Sequence, residues 1–411
     1  MKAPTEARSK GVLDKSSGHY ETVFFEPVYR VFGWAGLAIS PKGFLENLYS
    51  IFIKTMIVTF VMSELWYLFS QTSNLDKIID NINVTLIHLI AMYRYMNWLS
   101  NRSIYKRLAG AMEEPTFDIS TPERKKLLHF WVNRSLVYLK LLLGLGSCTL
   151  AAWYVYPLVD DVEYNLTVAV RLPFDYATPK LYVPTYLAVL LAFNYTSYFV
   201  MVNDLMMQTH LMHLLCQYDV LGNCFENILA DSGCEGAKRS LCFKFTPKHQ
   251  KRYLDRLRVL VHQHKFIVKN TQELRDILSI PMLCQFMASS LLICFAGYQV
   301  TATIRISTTK FLMSLLYLSY NMFQLFIFCR WCDEIKIQSA NIAQAIYSSS
   351  WECGALRIPG VRRRLMLVLL RASKPLVLTA GGLYDLSLAS YSTLVKTSYS
   401  ALTVLLRVRD D

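Results

Sequence analysis

Seven apolar stretches, each long enough to cross a bilayer as a helix, constrain this chain more than any other feature. They lie near residues 47–68, 82–99, 136–158, 181–207, 279–304, 311–331 and 383–407. A hydrocarbon core of about 30 Å needs about 20 helical residues at about 1.5 Å each. A soluble chain of 411 residues buries a large core without runs of that length. The composition agrees, at 53% hydrophobic with a positive mean hydropathy. The expected fold class is therefore an all-α polytopic membrane protein. Residues 1–22 are polar and no short apolar core with a cleavage site follows. The first span is thus expected to act as the insertion signal.

A net charge of +13 raises the question of nucleic acid, and the placement of the charges answers it. Lys and Arg gather in alternate loops: 100–135, 208–278 and 332–382 carry Arg124-Lys125-Lys126, Lys248 to Arg258, and Arg362-Arg363-Arg364. The intervening segments 69–81, 159–180 and 305–310 and the tail 408–411 hold only Lys77, Arg171, Lys180, Arg305, Lys310 and Arg409. Basic loops stay cytoplasmic, so the N-terminus is expected inside and the C-terminus outside. That is the reverse of a G-protein-coupled receptor. The Asn-x-Thr acceptor at Asn165 falls in an outside loop and is a candidate glycosylation site.

Between the spans, the domain plan is as follows. Residues 1–46 form a cytoplasmic N-terminus whose apolar stretch 23–41, interrupted by Arg30, suits an interfacial or re-entrant segment. Apolar positions at a 3.6-residue period continue through 205–230 and again through 253–278. Spans four and five are thus expected to run on below the membrane as one helical hairpin with its tip at 231–247. A third such piece is Val361–Arg371, within a cytoplasmic anchor segment 332–382. The last stretch opens with a Lys374-Pro375 break and a Gly381-Gly382 hinge, then a helix over 383–407. Ser387, Ser390, Thr393, Thr397 and Ser400 recur at spacings of three and four, one hydroxyl-bearing stripe. Small and hydroxyl residues on a membrane helix suit a packing seam. Lys396 is a charge in the middle of this helix, of the kind that faces water or a partner.

Motifs for chemistry are lacking. The ten cysteines show no disulfide pattern, and Cys329-Arg-Trp-Cys332 has redox spacing without a βαβ context. His210-x-x-His213 and His262 with His264 lack a further ligand at helical spacing, so helix packing is the stronger reading. No nucleophile elbow, metalloprotease or Walker motif is present. The chain is not expected to be an enzyme, and no metal or cofactor is expected.

The stretch RASKPLVLTAGG (371–382), followed by LVKTSYSALTVLL (394–406), resembles the C-terminal signature of insect odorant receptors. Trp351 after its serines, and Phe25-Glu-Pro-Val-Tyr-Arg, also fit. Gustatory receptors of the same superfamily end with Gln-Phe where this chain has Leu405-Leu406, which favours the odorant branch. The loop before span five is shorter than in the family's co-receptor, Orco, so the chain resembles an odour-specific tuning subunit. The resemblance implies a ligand-gated, non-selective cation channel in the plasma membrane of olfactory sensory neurons. It implies four subunits around one pore, with tuning subunit and co-receptor in a heterotetramer.

It further implies a pore lined by the last helix. Matching Ser398-Tyr399 to the family motif puts the gate at Leu402 and the ring above it at Leu405 and Leu406, where apolar side chains would close the pore by dewetting. At about 100° per residue, Ser400 and Leu402 stand about 200° apart, so Ser398, Leu402 and Leu405 are the expected pore face and the hydroxyl stripe points elsewhere. The implied odorant pocket lies in the outer half of the bundle, between spans two, three, four and six. Its candidates are Ile82, Thr85, Leu86 and Leu89 from span two, and Gly146, Thr149 and Trp153 from span three. Span four offers Tyr186, Leu187, Leu190 and Asn194, and span six offers Tyr317 and Tyr320. Aromatic walls with few polar groups suit a small volatile. A gustatory-type homotetrameric channel is the alternative. A secondary transporter is a more distant one, since no internal repeat with broken helices is visible.

Overall fold

The structure, a computed structural model, describes residues 19–37, 43–70, 75–159, 166–233, 246–304, 307–352, 355 and 358–410. It is helical almost throughout. The helices are α1 (His19–Trp34), α2 (Phe44–Ser70), α3 (Leu75–Ser100), α4 (Arg102–Ala109), α5 (Pro122–Val159), α6 (Pro179–Glu226), α7 (Ile228–Asp231), α8 (Pro247–Thr303), α9 (Thr308–Tyr347), α10 (Val361–Ala372) and α11 (Leu388–Asp410). Each apolar stretch of the sequence falls on one long helix: α2, α3, α5, α6, α8, α9 and α11. Five of these, α2, α5, α6, α8 and α9, are long and apolar enough to cross a membrane. In α3 and α11, charged and hydroxyl residues dilute the apolar run.

Local chemistry sets the helix starts. Pro179 and Pro247 occupy first-turn positions, where a missing N–H costs nothing. The Thr246 hydroxyl accepts from the His249 amide at 3.4 Å, and the Ser307 hydroxyl accepts from the Lys310 amide at 3.4 Å. With 48 residues in α6 and 57 in α8, these helices reach about 72 and about 85 Å. Each therefore runs on far past the thickness of one bilayer, and the amphipathic stretches read from the sequence are continuous with the apolar ones.

α6 is the axis of the bundle. Every side chain from Phe199 to Tyr218 is buried, enclosed by α1, α3, α5, α8 and α9. A helix buried all round has no polar face, so its polar residues bond at once to their own helix. Asn203 donates to the Phe199 carbonyl at 2.8 Å, and Thr209 to the Leu205 carbonyl at 2.8 Å. By contrast, α2 exposes Phe44, Leu48, Phe52, Met62 and Phe69, as a lipid-facing helix does. The apolar segment at the start of the chain forms α1. Its Phe25 meets the rings of His210 and His213 at 4.7 and 5.4 Å, so this pair of histidines serves packing.

At the basic end, a four-charge cluster ties three chain segments together. Arg124 lies 2.7 Å from Asp118 and 2.6 Å from Asp231, and Arg256 lies 2.5 and 2.6 Å from the same two carboxylates. Two cations alternating with two anions satisfy every charge by the shortest route.

The last helix starts later than its apolar run. Residues 379–385 form a small antiparallel hairpin, with Thr379 opposite Asp385 and Ala380 opposite Tyr384. The break follows from Gly381 and Gly382, whose φ values of +60° and +70° suit a tight turn and not a helix. The Leu383 amide closes the turn on the Ala380 carbonyl at 3.0 Å. α11 then begins at Leu388, with the Ser390 amide donating to the Ser387 hydroxyl at 3.2 Å. The acceptor at Asn165 lies outside the described residues.

Candidate ligand-binding site

α3, α5, α6 and α9 line a cavity of about 50 Å³, smaller than the usual small-molecule site of about 300–1,000 Å³. α5 supplies Gly146, Thr149, Leu150 and Trp153, and α9 supplies Tyr317 and Tyr320. α3 adds Val84, Ile87 and His88, and α6 adds Phe193, Ser197, Val200 and Met201. The aromatic rings form a continuous wall: Trp153 lies 5.3 Å from Phe193 and 6.3 Å from Tyr317, centroid to centroid. Gly146 leaves room for the thioether of Met201, which a Cβ there would strike.

Below the cavity runs a layer of buried polar groups. The Tyr320 hydroxyl donates to Asp204 at 3.3 Å, and Gln324 donates to the same carboxylate at 2.5 Å. Asp204 pairs with Arg94 at 2.5 Å, both side chains no more than 2% exposed. Arg94 donates onward to Gln285 of α8 at 3.2 Å, and Gln285 to Ser289 at 3.1 Å. At the next residue of α8, the Ser398 hydroxyl of α11 donates to the Ser290 carbonyl at 3.0 Å. The cavity floor is thus bonded through α6 and α3 to α8, at the residue next to the one that holds the last helix.

Beside the cavity lies a wider groove of about 890 Å³, lined by α2, residues 170–174 and the first half of α6. Phe60 borders this groove and stands between it and the cavity, 6.2 Å from His88 and 6.5 Å from Phe193.

The family model for the 7tm odorant receptors matches residues 74–399. The chain belongs to the insect odorant receptor family. Odorant receptor 13a of Drosophila melanogaster is 23% identical to this receptor over 84% of this chain and 83% of its own. Odorant receptor 10 of Aedes albopictus is 23% identical over 79% of this chain and 82% of its own. Among solved structures, the olfactory receptor OR5 of Machilis hrabei in complex with eugenol superposes with a TM-score of 0.78. It covers 95% of this chain and 99% of that one, at 19% identity. The fold is therefore that of the solved insect receptor, in a multi-pass membrane protein. The family is one of odorant receptors, not of enzymes.

Within this receptor, the candidates named from the sequence divide by helix face. Gly146, Thr149, Trp153, Tyr317 and Tyr320 meet around the cavity. Ile82, Thr85, Leu86, Leu89, Tyr186, Leu187, Leu190 and Asn194 lie on α3 and α6 but do not line this cavity. Leu89 and Leu187 are 37% and 57% exposed on the outside of the bundle. Thr85 donates to Asn81 at 3.2 Å, and Tyr186 to the Tyr154 carbonyl at 3.4 Å. The cavity takes the neighbouring face of α3 and the next turns of α6.

On the last helix, Ser398 is 1% exposed and bonded to α8, so in this conformation it faces its own protomer. Leu402 packs over Gly297 of α8, where a Cβ would come within 2.9 Å of its Cδ2. Leu405 and Leu406 are half-buried. Within the protomer the hydroxyl stripe is not a packing seam at Thr393, Thr397 and Ser400, which are exposed. These three return their protons to carbonyls one turn back on their own helix, at 3.0, 3.0 and 3.1 Å. A helix can carry hydroxyls outward in this way without leaving a donor unmet.

Proposed function

We propose that this receptor is the odorant-binding subunit of a heteromeric, ligand-gated, non-selective cation channel. It crosses the plasma membrane of olfactory sensory neuron dendrites seven times, with its N-terminus cytoplasmic and its C-terminus outside. The observation that carries the reading is the aromatic cavity whose floor is bonded through Asp204, Arg94 and Gln285 to α8, beside the residue that holds the last helix. A small volatile filling it binds chiefly by burying apolar surface. The eugenol held by the olfactory receptor OR5 of Machilis hrabei, on the same fold, supports a ligand of that size.

The pore in this proposal is walled by α11 of each subunit, with Leu402, Leu405 and Leu406 as its apolar constriction. Ser398 holds α11 to α8 in the closed form, and its bonds to Ser290 are what an opening movement exchanges. Gly381 and Gly382 form the joint below. A ligand opens such a gate only by binding the open state more tightly. Four subunits share the pore with the family's co-receptor, which dilutes the repulsion that Lys396 would impose on cations.

The test is whole-cell current in cells expressing this chain with the co-receptor. A broad volatile panel should evoke inward current, and W153A and Y317A should reorder the ligand ranking while surface labelling persists. Silence across the panel at normal surface expression would sink the proposal. Current without the co-receptor would point to a homomeric channel.

A further inference from the structure

Most polar groups at the cavity wall are already committed elsewhere. Tyr317 donates its hydroxyl to the Asn83 carbonyl at 2.8 Å, Tyr320 to Asp204 at 3.3 Å, and Thr149 to the Leu145 carbonyl at 2.9 Å. His88 differs. Its Nδ1 lies 2.9 Å from Oε2 of Glu64, whose side chain is 0% exposed, and the imidazole itself is 2% exposed. Phe60 and Phe193 flank the ring at 6.2 and 6.3 Å, so packing and the carboxyl group together fix its orientation. Its Nε2 has no bond to any described residue, and the ring borders the cavity. Glu64 is not itself part of the lining, so the edge of the imidazole turned from Glu64 is the one left for a ligand.

The chemistry of that edge follows from charge. A net charge wholly buried in a low dielectric is costly, so a buried pair is kept neutral as a whole. A neutral form with the carboxyl proton on Oε1 and the imidazole proton on Nδ1 would leave a buried O–H unmet, since Glu64 Oε1 has no hydrogen-bond partner among the described residues, so two neutral forms remain. In one, imidazolium faces carboxylate and both ring nitrogens carry protons. In the other, a carboxylic acid donates to Nδ1 and the neutral imidazole keeps its proton on Nε2. Both forms present an N–H at Nε2. A ligand that places an acceptor oxygen there gains a bond. A ligand without one leaves a buried donor unmet.

We propose that His88 is the specificity-determining donor of this cavity, oriented by Glu64, and that the receptor selects small carbonyl-bearing volatiles over hydrocarbons of the same shape. This rests on the reading of the cavity as the odorant site. Glu64 acts through His88 and is a positioning residue.

The experiment compares ketones with alkenes in which C=CH2 replaces C=O, such as acetophenone with α-methylstyrene and 2-heptanone with 2-methyl-1-heptene. Half-maximal concentrations are read from currents with the co-receptor present. The ratio alkene to ketone is expected to fall about tenfold in H88F, one hydrogen bond's worth, with the alkene response retained. H88Q, which keeps a donor, should restore part of the ratio. E64L should lower the ratio in the wild-type background and leave it unchanged in H88F.

An unchanged ratio in an H88F receptor that still conducts overturns the proposal and leaves the channel reading standing. If H88F fails to reach the surface, the wild type decides alone: alkenes as potent as their ketones across the pairs overturn it, and consistently more potent ketones support it. No current to any panel member overturns the channel reading and this inference with it.

Discussion

Asp204 offers the sharpest energetic test. Its carboxylate takes Arg94 at 2.5 Å, Gln324 at 2.5 Å and Tyr320 at 3.3 Å, with no exposed surface. Replace it with leucine and the Arg94 guanidinium keeps Gln285 at 3.2 Å, the Met207 sulfur at 2.9 Å and the face of Phe328 at 5.4 Å. None of these carries a negative charge. Breaking one partner of a buried pair costs about 3–5 kcal/mol, and two orphaned donors place D204L toward the top of that range. R94M leaves the carboxylate uncompensated and should cost a similar amount. R94M/D204L removes both charges and should lose only about 2–4 kcal/mol, since only the two orphaned donors remain, at about 1–2 kcal/mol each. The cycle therefore predicts a coupling of at least about 3 kcal/mol. Unfolding of the purified receptor in mixed micelles with a rising SDS fraction measures all four stabilities. Additive losses, with the double variant as poor as the sum of the singles, would refute the argument that the pair is held together by mutual neutralisation.

Other predictions follow from single positions. G381A should destabilise more than G382A. Both pay about 1–2 kcal/mol for a left-handed Cβ, but at Gly381 that atom would also lie 2.6 Å from Leu283 while at Gly382 nothing lies within 4 Å; equal melting temperatures would contradict this. G297V should drive Leu402 off α8 and raise ligand-independent current, and an unchanged baseline at equal surface expression would count against α11 as the gate. At the basic end, burial holds His213 down to about 3 and His210 and His264 down to about 4, from 6.5. The folded state keeps these rings neutral, so their contribution is complete above pH 6.5 and is lost as pH falls toward 4. By pH 5 the loss is about 2 kcal/mol per ring. Stability measured at pH 7.5 and pH 5 should show the fall, and H213F should lessen it; a flat profile would refute the assignment.

The periodicity of the chain made the long helices legible, because apolar runs of about 20 residues have few other uses. The aromatic residues of spans three and six were legible too, since Trp153, Tyr317 and Tyr320 combine bulk with helical spacing. The faces of α3 and α6 that line the cavity are not the ones named from the sequence, although a signal for them existed. Arg94 lies seven residues after Ile87, and Asp204 lies seven after Ser197, two turns along the same face. A charge inside a membrane helix points into the bundle, so these two marked the inward stripes that carry Val84, Ile87, Ser197 and Val200. The turn at Gly381 and Gly382 was seen as a joint, but its hairpin needs a partner that lies about a hundred residues away in sequence. The Gly381 amide donates to the Ser279 carbonyl at 2.9 Å, and no local pattern announces such a bond.

That bond changes what the root of the last helix can do mechanically. The hairpin is clamped to α8 through Ser279 and, just upstream, the Leu376 amide donates to the Ser339 hydroxyl of α9 at 2.9 Å. α11 is thus a cantilever, built in at its base and held nearer its tip by the Ser398 bond to Ser290 and by Leu402 over Gly297 of α8, contacts that a swing must exchange. Leu402 stands 14 residues above Leu388, a lever arm of about 21 Å. A tilt of about 5° at the root then carries the leucine sideways by about 2 Å, roughly the radius of a methyl group. In the proposed channel, small angular play at this root would be enough to wet or dry a narrow passage at Leu402, and the stiffness of the clamp would set how much ligand energy that swing requires.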